Sequence, residues 1–264
     1  MKLSIENVNK MIECCTKKEI DFLIYIGQFQ DENGIIEGVD YKDVLVNIEI
    51  CKASFYKILY SLESKGLIQI NYLNGVYGFW EIQILNNVFA TKDDYKKGYI
   101  KLHYTVLHSV KFKQMTKGEK VVILHLFKLY DLRNVGIKIT LKRIMEWTGK
   151  SLRSVKKFIE TLKKSNMFDI AEWGKMIVVS IYMGFGIRTA REVDIKNNHT
   201  VGYKLRKTKT KAIERDVVDV LTLFRNYASK VGKDLIIKAI DRSIEVFGTL
   251  QPAYINRLIN IGVA

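Results

Sequence analysis

The stretch TGKSLRSVKKFIETLKKSN, running from Thr148 to Asn166, reads as a helix with two unlike faces. Val155, Phe158, Ile159 and Leu162 recur at i, i+3, i+4 and i+7, the spacing that lays an apolar stripe against a core. The leading turn and outer face carry Lys150, Ser151, Arg153, Ser154, Lys156 and Lys157. Asn166 follows at once, a residue that tolerates the left-handed conformation closing many helices. Upstream, TLKRIMEWTG is a shorter helical pattern with Thr140 placed as its N-cap.

Working outward, a short helix, a glycine-containing turn and a second helix with a basic leading end make the pattern of a helix-turn-helix that reads DNA. The same pattern occurs 100 residues earlier in CKASFYKILYSLESKG, from Cys51 to Gly66. There Ser54 falls on Ser154, Phe55 on Val155, Ile58 on Phe158, Leu59 on Ile159, Leu62 on Leu162 and Gly66 on Asn166. The register holds upstream, where Thr16, Lys17 and Glu19 match Thr116, Lys117 and Glu119, and Asp40 matches Thr140 as an N-cap. It holds downstream as well. Leu67–Ile70 and Met167–Ile170 are short apolar strands, each followed by a turn (Asn74-Gly75, Trp173-Gly174) and a second strand. Helix, strand, helix, helix and a two-stranded hairpin is the order of a winged helix.

The chain of 264 residues has room for two or three domains, and 48% apolar residues suffice for packed cores. Its formal net charge of +15 favours a polyanionic partner, nucleic acid or an anionic membrane surface; the pI is near 9.5. No apolar run reaches a membrane-spanning length, and MKLSIENVNK lacks the apolar region of a signal peptide. Cys14, Cys15 and Cys51 are too few and too badly spaced for a disulfide framework, so a reducing, cytoplasmic setting is expected. The expected class is mostly α with small β-hairpins (α+β). It comprises a first winged-helix domain (1–86), a connector (87–115) and a second winged-helix domain (116–183). A basic linker (184–212) and a small all-α domain (213–264) follow.

In chain order, residues 1–15 suggest a short helical lead-in. The first reading helix presents Lys52, Ser54, Tyr56 and Lys57, a weaker basic face than the second. Tyr72, Tyr77, Phe79 and Trp80 near its wing suit either sugar and base contact or core packing. The connector, in which Lys101, His103, Lys111 and Lys113 alternate with Ile100, Leu102, Tyr104, Val106 and Leu107, is either extended or a helix. Lys175, beside Trp173 at the second wing tip, can touch a phosphate or sit in a solvated turn. Residues 184–212 show little apolar periodicity. They carry Arg188, Arg191, Lys196, Lys204, Arg206, Lys207, Lys209 and Lys211, and read as a flexible tether that clings to phosphates or is merely solvated. Helices are expected from about Ile213 to Val231, from Lys233 to Phe247 with Gly248 closing it, and from Pro252.

Enzymatic patterns were sought. Gly149-Lys150-Ser151 looks like the end of a phosphate-binding loop, but Ile144 stands where that loop needs its first glycine. Gly184 and Gly186 form a lone GxG, better read as a domain exit. His103, His108, His125 and His199 provide no close pair for a metal, and Cys14-Cys15 has no base beside it in sequence. The expectation is no catalytic residue, no metal and no cofactor.

The last stretch, DLIIKAIDRSIEVFGTLQPAYINRLINIG, resembles the C-terminal module of DnaD-like primosomal proteins. Leu235, Ile236, Ala239 and Ile240 match the family's first helix pattern; Tyr254, Ile255, Asn256, Leu258 and Ile259 match its "YIN" helix. The family's closing Trp has no counterpart, Gly262 standing near that place. The likeness covers about the last fifty residues and implies that Tyr254, Asn256 and Arg257 contact a partner protein or single-stranded DNA. Two winged helices in tandem ahead of such a tail are similar to replication initiators (Rep proteins) of Gram-positive plasmids. That resemblance implies binding to repeated double-stranded DNA sites at an origin and recruitment of host replication proteins. The two reading helices are then expected in successive major grooves about 10 bp apart. Lys150 and Arg153 would be the base readers, Lys156 a phosphate contact or solvated, and Lys163 and Lys164 likewise. The alternatives are a winged-helix transcription regulator or plasmid-partition adaptor, and a protein whose winged helices bind other proteins.

Overall fold

The computed structural model describes residues 1–72, 79–102, 106, 109–130, 136–165, 167–173, 176–181 and 190–262. Of the features named above, Asn74, Gly75, Tyr77, His103, Tyr104, Leu107, His108, Asn166, Gly174, Lys175, Gly184, Gly186 and Arg188 lie outside the described residues. The chain divides into two compact units, Met1–Ile187 and Arg188–Ala264. Both are made of helices, and the first also holds small antiparallel sheets.

In the first unit the capping chemistry sets the helix starts. Thr16 and Thr116 each accept from the backbone N–H three residues on, while Glu19 and Glu119 reach back to the cap's own N–H, two capping boxes in the same register. They open α2 (Lys17–Gly27) and α7 (Lys117–Leu129). Asp40 and Thr140 then cap α3 (Tyr41–Ile48) and α8 (Leu141–Thr148), directly after strands β2 (Ile35–Asp40) and β6 (Ile137–Thr140). Helices α4 (Lys52–Ser64) and α9 (Leu152–Lys164) follow. Strands β3 (Ile68–Tyr72) and β4 (Phe79–Ile84) close the first copy, and β7 (Phe168–Trp173) and β8 (Met176–Ile181) the second. Helix, strand, helix, helix, strand, strand is thus laid down twice, with an offset of 100 residues through β3 and β7 that closes to 97 at the last strand, where Phe79 and Met176 pair with Asp40 and Thr140. The sheets share one topology, β2-β4-β3 and β6-β8-β7, antiparallel throughout.

The residues around this repeat are structured too. Strand β1 (Lys2–Ser4) precedes α1 (Ile5–Cys14), so the lead-in is a strand and then a helix. The connector is neither one extended run nor one helix. It contains α5 (Lys92–Lys96), β5 (Tyr99–Lys101), which pairs with β1, and α6 (Val110–Gln114). Its alternating pattern serves different elements in turn: Ile100 and Leu102 are buried at β5, Phe112 in α6. One apolar core runs through both copies, from Phe22, Leu23, Phe55 and Leu59 to Val122, Val155, Ile159 and Leu162.

Two positions show how closely this unit is built. Gly34, in the turn before β2, has φ +75°, and a Cβ there would lie 2.8 Å from the Ile84 carbonyl oxygen and 3.0 Å from that of Asn87. Gly34→Ala should cost about 2–4 kcal/mol, strain and a backbone clash together. Gly149→Ala, at φ +62° in open space, should cost only about 1 kcal/mol. Urea unfolding of both variants would check this; equal losses would refute it.

Glu19, nearly fully buried, accepts from Lys65 Nζ at 2.6 Å, Ser61 Oγ at 2.6 Å and its own cap's N–H. Burial alone pushes its carboxyl up, but these donors outweigh it and hold the pKa down at about 2, against 4.5 when free. The stability Glu19 contributes is therefore complete above about pH 4.5 and is lost as pH falls toward 2. Glu19→Gln should cost about 2–3 kcal/mol near neutrality, less than a sealed pair because Lys65 can turn to water. The gap from wild type should shrink as pH falls below 4.5; a gap independent of pH would sink the assignment.

The second unit holds α10 (Ala190–Lys207), α11 (Glu214–Val231), α12 (Lys233–Phe247) and α13 (Pro252–Ile261). The last three keep the limits expected from their caps. The stretch read as a flexible basic linker is corrected here: most of it is α10. Its Val201 and Tyr203 are buried, and Val201 and Leu205 pack with Val220, Phe224, Ile236 and Ile240. Lys204 Nζ reaches the Asp241 carboxylate at 2.6 Å, and Lys233 Nζ reaches Asn197 Oδ1 at 3.1 Å. So few apolar residues leave a faint periodic signal, and packing supplies the helix that propensity did not announce. Among the described residues, no helix is long and apolar enough to cross a membrane.

Candidate nucleic-acid interface

The turn between α8 and α9 and the start of α9 carry a cluster of exposed cations. Gly149, left-handed, ends α8 with its N–H on the Met145 carbonyl at 2.8 Å. In the first copy the matching position is Glu49, held at φ 53° with its N–H on the Leu45 carbonyl, so the same turn is made there without glycine. Ser151 then caps α9, its hydroxyl accepting from the Ser154 N–H and lying 3.3 Å from the Ser154 hydroxyl. Because Val155, Ile159 and Leu162 are buried, the opposite face of α9 must point outward, and Lys150, Ser151, Arg153, Lys156 and Lys157 are all exposed. Lys163 is tied across to Glu172 on β7 at 2.5 Å, a hydrogen bond that lowers the Glu172 carboxyl pKa. Lys111 of α6 donates to the Lys164 carbonyl and holds the far end of the helix. Exposed cationic heads thus gather before and along the N-terminal half of α9.

The first copy is chemically quieter. Lys52 and Lys57 are exposed, and the Lys52 ammonium lies 5.2 Å from the centre of the Tyr41 ring. Ser54 is half-buried with its hydroxyl 3.2 Å from Cys51 Sγ. Tyr56 is half-buried, its ring edge-on to Phe55 at 5.4 Å and to Trp80 at 5.9 Å. Trp80 packs on the core, which favours the structural reading of that wing aromatic. His125 likewise stacks flat on Trp147 at 4.3 Å, and burial lowers its pKa to about 4. Among the described residues, no three His, Cys, Asp or Glu side chains converge as metal ligands.

In the second unit, Arg206 is half-buried, Lys207 lies 5.7 Å from the Tyr203 ring, and Lys209 is exposed at φ 54° just beyond α10. Tyr254 is half-buried against Phe247, with ring centres 5.0 Å apart; Asn256 accepts from Asn260 at 3.3 Å; Arg257 is exposed. Of the residues carrying the DnaD-like pattern, Ile236, Ala239, Ile240, Ile255, Leu258 and Ile259 are buried. That pattern therefore encodes mainly a helical core.

Sequence reasoning overlooked the exposed Lys138 on β6 and Lys142 on α8. It also overlooked an ion pair between the copies, Asp21 with Lys120. The lysines could have been found as the outward positions of their strand and helix; the ion pair joins residues 99 apart and leaves no local trace. No protein-family model matches this chain, no characterised protein matches it in sequence, and no solved structure matches its fold.

Proposed function

We propose that this chain is a sequence-reading, duplex-DNA-binding protein made of two winged helices in tandem, and that it initiates plasmid replication. In this reading it binds repeated sites at an origin and engages host replication proteins through its C-terminal helical unit. One observation carries the DNA-binding part. The helix, strand, helix, helix, strand, strand order recurs in one topology, and the second helix of each pair turns an outer face away from the core. On α9 that face is cationic, as a major-groove reader requires: Arg153 and Lys150 can donate to guanine O6 and N7, with Lys156 and Lys157 toward phosphate. The net charge of +15 supports a polyanionic partner. The initiator part rests on the DnaD-like pattern of the last fifty residues.

The test is a salt titration of binding to random duplex and to candidate origin repeats. Affinity on the repeats at least ~10³-fold above random duplex, with a steep salt slope, supports a site-reading initiator. A steep slope without preference removes the sequence-reading part. No binding near physiological salt overturns the proposal.

A further inference from the structure

The two copies meet through a buried ion pair. Asp21 lies on α2 of the first copy, and its carboxylate is shared by Lys17, at 2.9 Å, and by Lys120 on α7 of the second copy. Lys120 is completely buried, and its ammonium also lies 4.7 Å from the centre of the Phe112 ring on α6. Lys17 Nζ in turn donates to the Lys113 carbonyl at 2.9 Å. One carboxylate thus gathers α2, the connector and α7.

A buried ion pair is a poor way to gain stability, because desolvation costs about as much as the attraction returns. Its clearest use is to fix register and exclude wrong arrangements. The repeat shows what is being excluded. At the paired positions 20 and 120 the copies carry Ile and Lys; at 21 and 121 they carry Asp and Val. Ile20 and Val121 are buried, so the environment on each side accepts an apolar residue. Two modules of the same element order joined by apolar contacts alone could slide or exchange faces at little cost. With one acid on the first copy and one base on the second, any other arrangement leaves a charge buried and unpaired.

We propose that Asp21 and Lys120 are positioning residues: their buried pair fixes the orientation of one copy against the other and so the spacing at which α4 and α9 meet DNA. The spacing part rests on the DNA-reading proposal; the orientation part does not. The test is a distance measurement on the full chain by pulsed electron resonance. Spin labels go on Tyr60→Cys in α4 and Glu160→Cys in α9, exposed positions 100 apart, in a Cys14→Ser, Cys51→Ser background; Cys15 is buried. Wild type should show one narrow distance population. Asp21→Asn and the all-apolar pair Asp21→Leu with Lys120→Met should broaden it, the second while keeping native helix content. The exchanged pair Asp21→Lys with Lys120→Asp should narrow it again. A distribution as narrow as wild type in the folded all-apolar variant overturns the proposal.

A second arm reads function, using the duplex that wild type enriches from a random-sequence library. Inserting about 5 bp, half a turn, between its two half-sites should weaken wild-type binding roughly 10- to 100-fold and the all-apolar variant far less. Equal losses overturn the spacing role. An enriched duplex with a single half-site overturns the spacing role alone, and no enrichment at all overturns the DNA-reading proposal and the spacing role with it; in either case the distance result still decides whether the pair orients the copies.

Discussion

Replacing Lys150, Arg153, Lys156 and Lys157 together with alanine should weaken duplex binding by several orders of magnitude and make its salt dependence shallower. Each phosphate-paired cation contributes about 0.9 to the log–log slope, so losing Lys156 and Lys157, the two placed toward phosphate, flattens it by about 2. Within the set the residues should separate. Arg153→Ala alone is expected to cost about 1–3 kcal/mol on the preferred duplex and to relax one base position. Lys156→Ala should weaken preferred and random duplex alike. All four side chains are exposed, Lys150 in the turn before α9 and the others on its N-terminal half, outside the buried stripe of Val155, Ile159 and Leu162, so the fold should survive their loss. The control neutralises four exposed lysines elsewhere, Lys92, Lys96, Lys97 and Lys238, removing the same charge. If the control reduces binding as much, the effect belongs to net charge and α9 is no interface. If Arg153→Ala loses affinity equally on preferred and random duplex, its base-reading role is gone.

The largest stability effect is expected at Phe55. Its ring is fully buried and touches four others, with centroids 5.9 Å from Phe22, 6.3 Å from Tyr41, 5.4 Å from Tyr56 and 6.5 Å from Trp80. Those partners come from α2, α3, α4 and β4, so one side chain joins every layer of the first copy. Phe55→Ala should cost about 3–5 kcal/mol, since both the transfer energy and the cavity count against it. For a unit of this size that lowers the melting temperature by roughly 6–20 °C. The equivalent residue in the second copy is Val155, also fully buried, and Val155→Ala removes less surface and should cost about 2 kcal/mol. Calorimetry of the two variants tests the comparison. A Phe55→Ala loss below about 1 kcal/mol would mean that the aromatic cluster collapses around the gap and that no single hub exists.

The two copies differ in kind because of such choices. The first commits aromatic residues to its core and keeps only Lys52 and Lys57 as outward cations on α4, one of them against Tyr41. The second also buries two aromatic rings, Phe127 and Phe168, but exposes Lys150, Arg153, Lys156 and Lys157 before and along the start of α9. Where both copies engage one duplex, α9 would carry more of the recognition and α4 more of the placement.

Much of this was readable from residues alone because its causes are local. A capping box spans four residues, an apolar stripe repeats within two turns, and a left-handed closing residue sits next to the helix it ends. Thr16, Glu19, Thr116 and Glu119, the stripe Val155–Leu162 and the limits of α12 and α13 follow from interactions of that range. The mixed helical and antiparallel architecture and the 100-residue register come from the same short-range information, written twice. What required the folded chain is whatever depends on distant partners. Helix α10 is held by Val201, Leu205 and Lys204 against α11 and α12, and its own sequence is too polar to announce it. Tyr56 looks like a surface reader until Phe55 and Trp80 are seen beside it. Strand β1 is a strand because β5, nearly a hundred residues on, completes its hydrogen bonds. Asp21 and Lys120 are two unremarkable surface-type residues in separate helices; only tertiary packing buries them together, because charge pairing has no sequence period.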